Sequence, residues 1–301
     1  MTDTLGTTQN AVWIPEIIAN ESIGLLGAYL NLGKTVSKDS ELVAVRQGQV
    51  LHIPKRGVIV AQQKTQHTDA VLQQPEGDDV EVTVDQHWYV RLAEEDFSKA
   101  MQVGSVLPGY LEDAVIVLAE KIESNLAAHS SEFDNTDIPT SGTDDALKGI
   151  NKVREFMVNN KVPQLAQKFG YVAPSLVTAL LNSQAFIDPK LIPTSRALTE
   201  GTVGRTGGFD IFEGQLVEQV GSPAHFQNLF YTKNALVLAS RPLEMPDAAL
   251  GVQSATVNSE AGLAIRVIRH YDSAAMATVG QLDVLFGTAV NDERQGFVLE
   301  S

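Results

Sequence analysis

The sequence predicts an α+β fold, and three observations carry that prediction. Residues 80–93 alternate apolar and polar side chains, the period of a strand with one buried face. Residues 108–126 repeat apolar side chains at spacings of three and four, the period of a helix packed along one side. From residue 144 onward, strand-like and helix-like stretches alternate, as in an α+β or α/β core.

Residues 1–46 read as an N-terminal arm. Trp13, Ile14, Ile17 and Ile18 line one face of a short helix, and Ile23, Leu26, Tyr29 and Leu30 line another. The next unit, 47–96, reads as a long β-hairpin. Its outgoing strand is 49–61, its tip is the polar stretch 62–79, and its return strand is 80–93. Val80, Val82, Val84, Trp88, Val90 and Leu92 occupy the even positions of that return strand. Glu81, Thr83, Asp85, His87, Tyr89 and Arg91 occupy the odd ones, with Gln86 as the one break. At ~3.3 Å per residue the run reaches roughly 43 Å, about twice an ordinary strand. A two-stranded ribbon of that length is marginal alone in water, so it is expected to lie on neighbouring copies of the same chain.

After the acidic turn Glu94-Glu95-Asp96, a short helix is expected at 97–102. The strongest helix follows from Pro108, a residue suited to a first turn. Leu111, Ala114, Val115, Leu118, Ile122 and Leu126 form its apolar side, while Glu112, Asp113, Glu120, Lys121 and Glu123 form its polar side. Some twenty residues give ~30 Å of helix, enough for a domain spine. Residues 130–145 read as a polar loop, and Asp144 or Asp145 caps a helix to about residue 160. A buried strand is expected at 169–176, with a short helix at 175–183 after Pro174. Gly201, Gly204, Gly207 and Gly208 mark a tight loop needing positive φ. Strands are expected at 209–212, 228–231 and 235–239, and a closing hairpin at 262–271 and 280–286.

Composition excludes more than it identifies. Of 301 residues, 44% are hydrophobic, enough for a substantial core. A net charge of −15 without any basic run argues against a face that grips nucleic acid. The absence of cysteine removes disulfides, thiolate metal sites and cysteine nucleophiles. Residues 1–10 lack the pattern of a secretory signal, and no apolar run is long enough to span a membrane as a helix, so an intracellular protein is expected.

The stretch from Ala28 to Gly33-Lys34-Thr35 fits the loosest form of a phosphate-binding loop. It lacks an entering strand, a glycine-rich backbone and an apolar exit helix, so a turn after a helix is the expectation. The carboxylates Glu132, Asp134, Asp137, Asp144 and Asp145 lack the alternation and central glycine of a calcium loop. His52, His67, His87, His129, His225 and His270 show no metal-ligand spacing, and no serine sits in a nucleophile elbow. Catalytic residues, metal ligands and cofactors are therefore expected to be none. The remaining enzyme alternative is an intracellular metal- or nucleotide-dependent activity.

Four stretches in order resemble a known family. They are Gly48-Gln-Val-Leu-His-Ile-Pro-Lys-Arg56; Val82 through the acidic turn to Asp96; Gly204-Arg-Thr-Gly-Gly-Phe-Asp-Ile-Phe-Glu213; and residues 262–286 with Arg266 and Tyr271-Asp272. Together they are similar to the major capsid proteins of tailed bacteriophages with the Hong Kong 97-type fold, closest to the coat proteins of short-tailed phages. The resemblance implies an N-terminal arm (1–46), an extended loop (47–96) and a peripheral domain with a spine helix (97–143). It further implies a mainly axial domain (144–261) and closing strands shared by both domains (262–301).

It also implies self-assembly through hexamers and pentamers into an icosahedral head enclosing double-stranded DNA, with an encapsulin-like cargo shell as the alternative. Expected partners are other copies of the chain, a separate scaffolding protein, a portal protein, a decoration protein and packaged DNA bound without sequence specificity. The separate scaffold is expected because only about forty-five residues precede the extended loop. The expected location is the virion capsid, assembled in the host cytoplasm. Intersubunit contact candidates are Lys55, Arg56, Val80, Val82, Val84 and Trp88. No residue is assigned to a covalent crosslink.

Overall fold

The computed structural model describes residues 22, 26, 29–38, 50–55, 59–67, 69–70, 72–73, 77–96, 107–138, 145–183, 204–222, 224–244, 253–258 and 263–301. Arg56, Gly201, the expected helices at 13–18 and 97–102 and most of the N-terminal arm lie outside the described residues.

In chain order the elements begin with α1 (Leu32–Thr35), β1 (Val50–Lys55), β2 (Asp78–Thr83) and β3 (Gln86–Glu95). The long helix α2 (Leu107–Ala128) follows, then β4 (Asp134–Asp137), α3 (Asp145–Asn159), β5 (Lys168–Val172) and α4 (Pro174–Leu181). The remainder is β6 (Arg205–Thr206), β7 (Phe209–Glu213), β8 (Gln219–Val220), β9 (His225–Thr232), β10 (Leu236–Ser240), β11 (Gln253–Asn258), β12 (Ala264–Asp272), β13 (Ala277–Val290) and β14 (Gly296–Glu300).

Two larger sheets organise these elements. The first runs β10-β13-β12-β11, with β3 also paired to β13. The second runs β4-β14-β9-β5-β7-β6, with β8 paired to β9. Helix α2 joins them, since Val115, Leu118, Ile122 and Leu126 share one buried cluster with Ile265, Val267, Leu282, Val284 and Phe286 of the first sheet and Leu229, Tyr231 and Val298 of the second. Its 22 residues give ~33 Å of spine.

A second cluster forms where α3 lays Ile150, Val153 and Met157 against Leu176, Leu180, Phe230, Phe297 and Leu299. Asn228 ties this layer together. Its carbonyl accepts from Ala173 N at 2.7 Å at the start of α4, and its amide donates to Leu299 O at 2.8 Å. Across the first sheet, the fully buried Asp283 accepts from Arg266 Nε at 3.0 Å and Nη2 at 2.5 Å, so the internal carboxylate is paired.

Several expectations need correction. The return strand expected as one piece at 80–93 is two strands, β2 and β3, interrupted at Val84 and Asp85. The alternation itself is unbroken, with the even side chains inward on both halves from Val80 to Leu92 except the more exposed Trp88. What changes is the hydrogen-bonding partner: β2 pairs with β1, and β3 pairs with β13. Side-chain periodicity reports the buried face and not the partner strand, so it cannot register such a switch. Residues 59–61, expected to continue the outgoing strand, lie outside any strand. The polar loop expected at 130–145 contains β4, which pairs in parallel with β14. Its residues Asp134, Asn135, Thr136 and Asp137 carry no strand-like apolar pattern, so only the tertiary pairing reveals the strand.

Candidate intersubunit surface and its anchorage

The hairpin leaves the core at a close crossing. Strands β1 and β2 pair from Val50↔Thr83 to Lys55↔Asp78, which sets Leu51 across from Val82 and Ile53 across from Val80. Val82 is fully buried against Val237 and Ala239 of β10, with Leu51, Ile53, Val84 and Ala289 around it. Just beyond, the chain passes over β13 at Gly287. A Cβ at that glycine would lie 2.1 Å from Thr83 O and 2.8 Å from Thr83 C, so only a bare backbone permits the crossing.

The sequence candidates divide along this geometry. Val82, at 0% exposure, has no surface left for a second chain. Val80 and Val84 are half-buried, as is Lys55 at the outer end of β1, opposite Asp78. Trp88 is 38% exposed and lies under Lys121 of α2, whose Nζ is 5.2 Å from the ring centroid. That cation–π contact holds β3 to the spine helix. Arg56 lies outside the described residues.

Further apolar side chains stand open farther out along the hairpin. Ile59 is 75% exposed, Val60 63% and Leu72 95%. Val60 N donates to Gln73 Oε1 at 3.1 Å, and Gln73 Nε2 donates back to Val60 O. One side-chain amide thus satisfies both backbone groups of Val60 where a strand ladder would otherwise do so. Sequence reasoning missed these residues as surface because 58–61 reads as an ordinary apolar strand segment. Leu72 gave no signal beyond being an isolated leucine in a polar stretch.

The arm is fixed to the core by a buried carboxylate. Glu123 of α2 is 5% exposed and accepts from Leu32 N at 3.1 Å and Gly33 N at 3.0 Å. Burial pushes its carboxyl above the ordinary glutamate range, and the backbone donors of Gly33, Leu32 and Asn31 pull the other way. The stretch that loosely fits a phosphate loop therefore does gather N–H groups around an anion, and that anion is the chain's own Glu123. Thr35 Oγ1 is hydrogen-bonded to the buried Tyr231 hydroxyl, and burial raises that phenol well above its ordinary range. Lys38 is pushed down to about 8, first by burial and then by Lys34 and Lys233. A cavity of about 300 Å³ beside this junction is lined by Tyr29, Asn31, Glu120, Glu123, Tyr171 and Gln215 among others. Of the carboxylates that line it, Glu123 is committed to the backbone donors of Leu32 and Gly33.

No family model matches the chain, and no curated relative matches it. Solved structures do. The structure of Mycobacterium phage Che8 overlays with a TM-score of 0.65 at 14% identity, covering 91% of this chain and 90% of that one. The capsid structure of the cyanophage P-SCSP1u overlays with a TM-score of 0.63 at 13% identity, covering 85% and 84%. The capsid of Ralstonia phage GP4 overlays with a TM-score of 0.60 at 14% identity, covering 88% and 86%. At such low identity the agreement lies in the path of the backbone, and it runs nearly end to end in both partners. The chain shares the α+β fold of these phage capsid structures.

Proposed function

We propose that this chain is a major capsid subunit, a structural protein that assembles with its own copies through hexamers and pentamers into an icosahedral head enclosing double-stranded DNA. The observation that carries the reading is the overlay on the capsids of P-SCSP1u and GP4, which covers 85% and 88% of this chain and 84% and 86% of theirs. The hairpin supports it, because its root is anchored on the core while Ile59, Val60 and Leu72 stand in solvent. Apolar side chains held out on a projecting loop are what a neighbouring copy would cover.

In this reading residues 47–96 form the extended loop, 97–143 the peripheral domain with its spine, 144–261 mainly the axial domain, and 262–301 the strands shared between them. The split of β12 and β13 into the first sheet and β14 into the second supports that last assignment. Val80, Val84, Trp88, Lys55 and Arg56 remain contact candidates at the loop root, with the distal apolar residues added to them. A separate scaffolding protein, a portal, a decoration protein and the packaged genome are its partners, with assembly in the host cytoplasm. A net charge of −15 suits a wall that contains DNA without gripping it. The encapsulin-like alternative is less favoured, since P-SCSP1u and GP4, which match well, are phage capsids.

Paired substitutions test the reading. Leu72→Asp and Ile59→Asp are expected to leave thermal stability within about 0.5 kcal/mol of the parent, as exposed sites do. The same variants should sharply reduce the fast-sedimenting assembled fraction in a sucrose gradient. Val82→Asp is expected instead to unfold the chain, because it buries a charge in the β1–β2–β10 contact. Full assembly by the Leu72 and Ile59 variants would contradict the role given to the loop.

A further inference from the structure

The root of the hairpin has two faces of opposite character. Leu51, Ile53 and Val82 turn toward the chain's own core. Val50, His52, Pro54, Asp79, Glu81 and Thr83 turn to solvent. The ionisable groups of that outer face are His52, Asp79 and Glu81, with no lysine or arginine among its residues. Strand register places His52 directly opposite Glu81, and Asp79 at the next position of the same face, opposite Pro54. The three side chains converge. His52 Nδ1 lies 2.5 Å from Asp79 Oδ2 and 3.7 Å from Glu81 Oε1, and one donor atom from each residue lies within 4.8 Å of the other two.

We propose that His52, Asp79 and Glu81 form a binding site for a divalent transition-metal ion of the Zn²⁺ class at the root of the hairpin. The donor set selects the class. One imidazole nitrogen with two carboxylate oxygens suits zinc and its neighbours, whereas calcium and magnesium prefer oxygen alone. The two carboxylates stand two residues apart on one strand face, with the imidazole reaching both.

The geometry is close to what such an ion needs. Tetrahedral bonds of ~2.1 Å set donor atoms about 3.4 Å apart. The His52–Glu81 separation of 3.7 Å already meets that spacing. The Asp79 carboxylate has to retreat from 2.5 Å by about 1 Å, within the reach of an exposed side chain on a fixed ladder. The ion takes the place of the direct His52–Asp79 contact. Three protein donors leave a coordination position for water or for a donor from another molecule. The bound ion staples β1 to β2 where the hairpin leaves the core. This site does not depend on the capsid reading.

Isothermal titration of the protein with ZnCl₂ near neutral pH tests it, beside His52→Gln and Glu81→Gln. All three side chains are exposed, so neither variant endangers the fold, and circular dichroism verifies that. The expected result is one saturable site whose affinity falls about tenfold or more in each variant. Amide exchange across 50–55 and 78–83 should slow on adding zinc in the parent alone. Equal zinc affinity in the parent and both variants, or no saturable binding in the parent, would overturn the proposal.

Discussion

Glu123 shows how much one side chain decides. Its two oxygens hold the N–H groups of Leu32 and Gly33, joining the N-terminal arm to the spine helix across some ninety residues of sequence. The cost of burial outweighs those hydrogen bonds in its titration, so its carboxyl is raised. Between the ordinary glutamate value and the raised one, the folded chain keeps a proton that the unfolded chain has released. Stability contributed by this group is therefore full at lower pH and is lost as pH rises through that window. Denaturation midpoints measured across mildly acidic pH should fall with rising pH more steeply in the parent than in Glu123→Gln. Equal slopes would mean that the group does not titrate in that window. No local sequence signal marks Glu123 for this role. It sits on the polar side of a helix, and the donors it meets come from a distant arm.

At the scale of elements, the crossing at Gly287 separates what the sequence reveals from what it hides. The spine helix and α3 were legible because each buries one regular stripe against a core, and β5 and the closing hairpin because they are mostly buried apolar runs. The switch of partner between β2 and β3 was not, because the even-position stripe from Val80 to Leu92 continues through it. Reading that stripe as an intersubunit surface assigned to a neighbour what Val82 gives to Val237 and Ala239. Strand β4 was invisible for the opposite reason, being a polar segment recruited by β14. Gly287→Ala tests the crossing. Its methyl meets backbone atoms of Thr83 that cannot rotate away, and the expected loss is about 3 kcal/mol, seen as a lowered urea midpoint. At Gly149, where the nearest atoms at 3.1 Å are the flexible end of Leu299, the same substitution should cost less. Equal effects would show that the β2–β13 approach is not tight.

For the whole molecule, the arrangement has a long helix joining two sheets, with a hairpin rooted on one of them and apolar residues at its far end. The root is satisfied within the chain, whereas Ile59, Val60 and Leu72 are not. That contrast gives the distal loop apolar surface that a second copy would cover. The order of the four resembling stretches made the overall architecture legible in the sequence, while the residues that meet a neighbour depend on which side chains the chain leaves uncovered. The most direct test is electron microscopy of the purified protein, alone and coexpressed with the proposed scaffolding protein. The account predicts closed icosahedral shells or isolated capsomers of five and six subunits. A protein that stays strictly monomeric under both conditions would contradict it.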